Sequence, residues 1–528
     1  MRVRSLRAAL LGGVLHGVAL LPPVPGVSTG LDASVRALLI FGGLLLAARA
    51  LLHAPRRVDA ARAGFAMGAA FSLLALHWVP SAAAPWFGGV GGLLGGLVVW
   101  SFHAALAALV FALMARGREG LPLPVVFGAG WLLVEWLPAA LPLLHLPRPE
   151  LASALVGSPA LLAPAALVGG TATMAIWAAG AAALVILLGP PGTDRTPTEA
   201  RRVERRSGAV WLGGLGVLVL LAGIGPSVGS DGVGAGGPAT EPAGRGVSGL
   251  AEMVLVQMPL SREALSDPEL RRTEITRGVR VGPADLWPES VLPDARIRPS
   301  GIGARPPIVG ARWEEGGVRF NVLVRPGTEE SSELVHRKRW LVPVIERSRL
   351  VRPGGEGAGI APGPAPEPFD HAGRPVGALI CFEFLFPRAV AELRRGGATL
   401  LLHVGNDAML TGGGRIPFLH DTPLLQQERM LRLRAFEYGL PVVRSSLGGS
   451  AGAWTARGDA LSLTPVPGTA RERVRVELPA SGPPTPATRL ARLSAPLAGV
   501  LLGIAWLRVW RRSPDRNGGP GSGVPDRG

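Results

Sequence analysis

The chain has 528 residues, 48% hydrophobic and only 17% charged, with a mean hydropathy of +0.33. That balance excludes an ordinary soluble protein and points to membrane spans. The net charge is +16 and all but one of the 54 positive residues are arginine; those in the short loops between the apolar runs form a pattern of membrane topology rather than of a nucleic-acid-binding face. One cysteine excludes an intramolecular disulfide. The sequence has no zinc-like Cys/His spacing, HExxH, GxSxG or phosphate-binding loop.

In chain order, seven apolar runs come first, at about residues 8–22, 34–53, 63–81, 86–115, 121–143, 160–189 and 209–226. Most approach or exceed the roughly 20 residues that cross a bilayer as a helix. The first is short and leaves through "LLPPVPG"; the runs behind it favour a retained anchor over a signal peptide. An eighth run, "LSAPLAGVLLGIAWLRVW", covers 493–510. With eight spans, Arg2, Arg4 and Arg7, Arg56, Arg57 and Arg62, Arg116 and Arg118, the arginines at 195–206, and Arg508, Arg511 and Arg512 share one side. Arg148 is the one exposed exception. The positive-inside rule then puts both termini in the cytoplasm and the segment between spans seven and eight outside.

The expected organisation is a membrane domain over 1–226, a Gly/Ser/Pro linker over 227–249, a soluble domain over 250–480, an eighth span within 481–512 and a disordered tail over 513–528. In the soluble domain, the strand-like runs "AEMVLVQM", "RFNVLVR", "PVGALICFEF", "ATLLLHVG" and "LPVVRSS" alternate with helical stretches. One of these, 421–439, ends at Gly439 as a helix should. The alternation reads as an α/β domain. The Pro/Gly-rich segment 352–373, just before the cysteine strand, is placed well for a lid.

Three residues of this domain supply complementary chemistry. Cys381 ends the apolar run of "PVGALICFEFLFP" and is followed by a carboxylate; its bland reading is a small core hydrophobe. Glu289, in "ADLWPESVLPD", reads alone as a solvated turn acid. Lys338, the only lysine in the chain, reads alone as a surface cation with a packed stem. Together they are a nucleophile, a base and a fixed cation. A thiol needs a base to attack a carbonyl. A carboxylate can take that proton and later one from an incoming amine. A compact ammonium, helped by the backbone N–H after the cysteine, can meet the oxyanion that forms. Arginine is larger and planar and misplaces that charge, a reason for one lysine among so many arginines.

The segments "WPES", "KRWLVPVIE", "ICFEFLFP", "GNDAML" and "RLRAFEYGLPVVRSSLGGSAGAWTARGDAL" follow the order of the carbon–nitrogen hydrolase (nitrilase) family. With spans on both sides, and with "GFAMGAAFSLLALHWV" and "GWLLVEWL" resembling its third and fifth helices, the chain resembles the apolipoprotein N-acyltransferase family. The resemblance implies an αββα sandwich inserted between the helices of an eight-helix membrane domain. It puts Glu289, Lys338 and Cys381 on the catalytic positions and Glu346, Phe382 and Glu383 beside them. It implies ping-pong transfer of an acyl chain from a phospholipid, typically phosphatidylethanolamine, through a Cys381 thioester. The acceptor is the amine of a lipoprotein's diacylglyceryl-cysteine. It also implies no metal or other cofactor, no nucleic-acid partner, a monomer, and a multi-pass place in the bacterial inner membrane with the soluble domain periplasmic. The chain departs from the family pattern at Phe382 (usually tyrosine), in "VPVIE" and "NDAML", which lack expected aromatics, and at "EWLP". Two other readings stay open: a membrane-anchored amidase acting on a small amide, and a non-catalytic paralogue. A transporter is disfavoured, because the spans hold few relay candidates beyond Glu135, His16, His77 and His103.

Overall fold

The computed structural model describes residues 3–23, 29–141, 148–188, 252–258, 284–292, 306–327, 332–346 apart from 344, 359–410, 421–464 and 472–512, with a few isolated positions between them. The linker 227–249, nearly all of the run 209–226, the 352–358 part of the segment before the cysteine strand and the tail 513–528 lie outside the described residues.

The Leu/Ala-rich runs fold as helices, the conformation that satisfies every backbone polar group within one segment. They are α1 (Val3–Ala19), α2 (Thr29–Leu52), α3 (Arg57–Ala75), α4 (Val79–Gly117), α5 (Leu123–Ala140), α6 (Pro159–Val168) and α7 (Gly170–Leu188). Among the described residues five, α2, α3, α4, α5 and α7, are long and apolar enough to cross a membrane. Small residues line their contacts: α1 buries Ser5, Ala9, Gly12, Gly13, His16 and Gly17 on one stripe.

Three expectations change here. The run 160–189 is two helices, broken at Gly169 by a backbone with φ 86°. The run 86–115 begins earlier, at Val79, and turns at Gly88 (φ 73°), folding Pro80 back against Gly92 and Gly96. Arg148 is buried rather than exposed: it donates to Glu135 at 2.8 Å and lies 4.5 Å over the Phe71 ring. A cation neutralised inside the protein carries no topology signal, so the exception to the charge pattern disappears.

The soluble domain contains β1 (Glu252–Met258), β2 (Val309–Glu315), β3 (Val318–Pro326), β4 (Ser332–Arg337), β5 (Phe369–His371), β6 (Arg374–Ile380), α8 (Pro387–Arg395), β7 (Leu400–Asn406), α9 (Thr422–Tyr438), β8 (Val442–Leu447), β9 (Ala451–Trp454), β10 (Ala460–Thr464) and β11 (Glu472–Glu477). A final helix, α10, runs over Ala487–Arg512. The larger sheet orders β10-β9-β8-β7-β6-β5, with β1 joined to β8 and β11; β2-β3-β4 form a smaller antiparallel sheet. Strands β6, β7 and β8 are parallel, linked through α8 and α9.

Strand alternation sorts the core. Val376, Ala378 and Ile380 of β6 and Leu400, Leu402 and Val404 of β7 face Leu323 and Ile308 between the sheets. Leu379 and Leu401, one residue out of step, face α8 and α9. Among the described residues the layers are therefore helix, sheet and sheet.

Helix α9 is also where the soluble domain meets the membrane helices. Gln426 Nε2 donates to Ala75 O (2.8 Å) and Arg429 to Leu21 O (3.2 Å), carbonyls at the C-terminal ends of α3 and α1. Farther along, the Glu437 carboxylate accepts the Gly170 N–H at the start of α7, and Arg434 pairs with Glu150 and Glu437. Donors thus sit on helix C-termini and an acid on a helix N-terminus, as the helix dipoles favour. One apolar cluster continues from Phe71, Trp131 and Trp177 through Phe384, Met430 and Leu433.

Candidate active site

Glu289 lies on a short turn laid across the sheets. Trp287 N–H donates to Ile308 O (2.9 Å) and Leu292 N–H to Gly310 O (3.1 Å), which fixes both sides of it. The turn passes so close to β2 that a Cβ on Gly310 falls 2.6 Å from Glu289 Cα, so only glycine fits there.

The Glu289 carboxylate is held from three directions. Oε1 accepts from Asn321 Nδ2 (2.7 Å) and Lys338 Nζ (3.3 Å), and Oε2 accepts the Asn406 N–H at the end of β7 (2.9 Å). Lys338 follows β4 and is 1% exposed. Its ammonium also meets Glu346 Oε1 at 2.9 Å, and Glu346 in turn accepts from Val342 N–H (2.7 Å) and Asn321 (3.3 Å). Burial by itself pulls the Lys338 pKa down, but Glu289 and Glu346, with Cys381 beyond them, hold it well above the ordinary lysine value. It stays a cation.

Cys381 ends β6 and opens a 3-10 turn, Cys381–Leu385, with a left-handed backbone (φ 51°). Its side chain is half-buried. Burial, reinforced by the Glu289 carboxylate and only partly opposed by Lys338, pushes the thiol well above its ordinary pKa. At rest it is a thiol, and its use as a nucleophile requires a base. The structure gathers Glu289, Lys338 and Glu346 in direct contact, with Cys381 close enough for all three charges to act on it.

Glu383 has a separate place. Its carboxylate accepts N–H bonds from Ile380 (2.8 Å) and Arg339 (2.7 Å) and faces His336 Nε2 (2.8 Å). Burial pushes its pKa up, but His336 and the two backbone donors more than offset this and hold it below the usual carboxylate range. Glu383 therefore ties the lysine segment to the cysteine turn. Phe382 is half-buried against Phe386, ring centroids 5.4 Å apart, and Phe386 stacks on Trp340 at 5.6 Å.

Several residues at the site were not singled out from sequence. Asn321 bridges both carboxylates; its signal is an amide inside the apolar strand "RFNVLVR". Arg434 donates from Nε to Phe384 O in the cysteine turn (3.1 Å) while pairing with Glu150. His403 reaches the Cys381 carbonyl. Arg434 lies in the family-like segment "RLRAFEYG", but nothing in the spacing marks His403.

Residues 310–460 match the carbon–nitrogen hydrolase family model, a stretch that holds Lys338, Glu346, Cys381, Phe382 and Glu383 but not Glu289. Over 246 residues, 41% of this chain, the sequence is 26% identical to an apolipoprotein N-acyltransferase of Geobacter metallireducens, and the match spans about half of that relative (46%). Among solved structures, similar chains include a mutant amidase from Nesterenkonia sp. AN1 with acrylamide added at its active-site cysteine (17% identity, 47% of this chain, 100% of that one, TM-score 0.29). Another mutant of that amidase, from the nitrilase superfamily, has 17% identity over 48% of this chain and 99% of its own, TM-score 0.30. The chain thus combines a stretch similar to carbon–nitrogen hydrolases with apolar helices, and part of it is similar to an apolipoprotein N-acyltransferase.

Proposed function

We propose that the protein is a membrane N-acyltransferase that moves an acyl chain from a phospholipid, through a thioester on Cys381, to the N-terminal amine of a diacylglyceryl-cysteine lipoprotein. The observation that carries the reading is the buried Glu289–Lys338–Glu346 group beside a half-buried Cys381, in a domain seated directly on apolar helices. A hydrolase of small soluble amides has no need of that seat. A lipid donor and a lipid-anchored acceptor both arrive from the bilayer, and holding the site there removes part of the entropy cost of their meeting.

In this reading Glu289 takes the Cys381 proton as sulfur attacks the ester carbonyl carbon. Lys338 Nζ and the Phe382 N–H meet the oxyanion. The C–O bond breaks, the lysophospholipid leaves with the proton from Glu289, and the thioester remains. The lipoprotein amine then attacks; Glu289 accepts its proton, the C–S bond breaks, and the thiol is restored. Glu346 braces the lysine and Glu383 the turn. The resulting place in the cell is the bacterial inner membrane, with the domain on the periplasmic side.

Purified protein in detergent, given phosphatidylethanolamine and a diacylglyceryl-cysteine lipopeptide, is expected to add one acyl mass to the lipopeptide. Cys381→Ser is expected to abolish the gain. A thioester on Cys381 that only water discharges would replace acyl transfer by hydrolysis. Neither thioester nor product in several lipids would leave a non-catalytic relative.

A further inference from the structure

Cys381 holds a backbone conformation that costs an L residue about 1–2 kcal/mol. The neighbouring strand grips its carbonyl: His403 Nε2 lies 3.0 Å from Cys381 O. His403 is fully buried on β7, opposite Leu379 of β6, and its ring stands edge-on to Phe384 with centroids 5.2 Å apart. Because its partner is a carbonyl, Nε2 carries the proton. Burial, followed by Arg444, pushes its pKa down to about 3, so it remains neutral through the physiological range. That leaves His403 a fixed donor and excludes it as the base for Cys381.

A trans peptide group is planar, with its C=O and N–H pointing opposite ways. The direction of the Cys381 carbonyl therefore sets the direction of the Phe382 N–H. Phe382 is the second residue of the 3-10 turn, where an N–H has no partner within the turn. A hydrogen bond to the carbonyl also polarises the peptide and strengthens its N–H as a donor.

From this geometry we propose that His403 is a positioning residue for the oxyanion site: by fixing the Cys381–Phe382 peptide plane it aims the Phe382 N–H at the oxygen of a tetrahedral intermediate on Cys381. The proposal rests on the part of the reading above that makes Cys381 an acyl-accepting nucleophile. It is independent of which lipid donates and which amine accepts.

Two reactions of the same thiol separate positioning from general structural support. Acylation by a short p-nitrophenyl ester passes through an oxyanion; alkylation by iodoacetamide is a displacement at carbon and forms none. In the full-length protein, His403→Leu is expected to slow acylation about 100-fold, the effect of losing one oxyanion donor, and to leave alkylation within about twofold. His403→Gln, whose amide carries an N–H close to the Nε2 position, is expected to restore most of the ester rate. His403→Asn is too short to do so and serves as a second donor-deficient variant if His403→Leu does not fold. Equal losses in both reactions, an unchanged ester rate in the donor-deficient variants, or His403→Gln as slow as those variants would overturn the positioning role. A wild-type Cys381 that alkylates but is never acylated would instead overturn the nucleophile reading, and this proposal with it.

Discussion

Lys338 sits between two carboxylates with almost no exposed surface. Removing the ammonium leaves Glu289 and Glu346 facing each other without a counter-charge, a loss of about 3–5 kcal/mol for a buried partner. Lys338→Met is therefore expected to lower thermal stability in detergent as well as end acylation. Lys338→Arg keeps the charge and should retain more of the stability than of the activity; equal retention of both would remove the case for a compact ammonium. Cys381 makes a prediction in pH. A thiol pKa raised above the ordinary value leaves the neutral form dominant through pH 8, so iodoacetamide alkylation should keep climbing beyond pH 9. A plateau near neutrality would mean a preformed thiolate. At this scale the sequence was legible where a residue type is rare. A single lysine and a single cysteine draw attention to themselves, and so does a carboxylate after an apolar run. His403 does not, because its partner lies 22 residues away and only the register of β6 and β7 brings them together; Asn321 shows only as an amide in an apolar strand, its partner Glu289 being 32 residues away on a separate turn.

Among the elements, the parallel set β6, β7 and β8 was readable as apolar runs separated by helical stretches, and its ends are where the site forms, as strand ends of open α/β sheets do. The stop of α9 at Gly439, whose φ is 63°, was readable too. The double duty of α9 was not. Its polar face looks solvated in a one-dimensional reading, yet Gln426, Arg429, Arg434 and Glu437 are all buried against the membrane helices or the cysteine turn. Arg434 makes three simultaneous bonds, which a lysine cannot reproduce. Arg434→Lys should keep the fold, since Glu150 and Glu437 retain a counter-charge, but lower the acylation rate about tenfold or more by releasing Phe384 O. Hydrogen exchange is expected to rise in the turn Cys381–Leu385 and stay unchanged in β3. An acylation rate equal to wild type would reduce Arg434 to charge balance alone.

For the molecule as a whole, hydropathy located the long apolar helices but could not see breaks inside a run. Gly88 and Gly169 interrupt stretches of uniform apolar composition, and the sharp turn leaves no trace in a windowed average. Orientation rests on the arginine pattern, which Arg148 no longer disturbs. A fluorescent protein fused after Arg512 should therefore fluoresce in the bacterial cytoplasm, and an alkaline phosphatase at that position should be inactive; the reverse result would invert the molecule. The seat of α9 also has a consequence for biosynthesis. Arg434 lies 284 residues after Glu150 in the chain, and translation at about 5–20 residues per second makes the acid wait roughly 15–60 s for its partner. During that interval Glu150 has the Thr171 hydroxyl but not its cation, and the Ala75 carbonyl awaits Gln426. A chain truncated before α9 is therefore expected to be degraded faster in cells than the full-length protein, and equal half-lives would deny the docking of α9 a protective role.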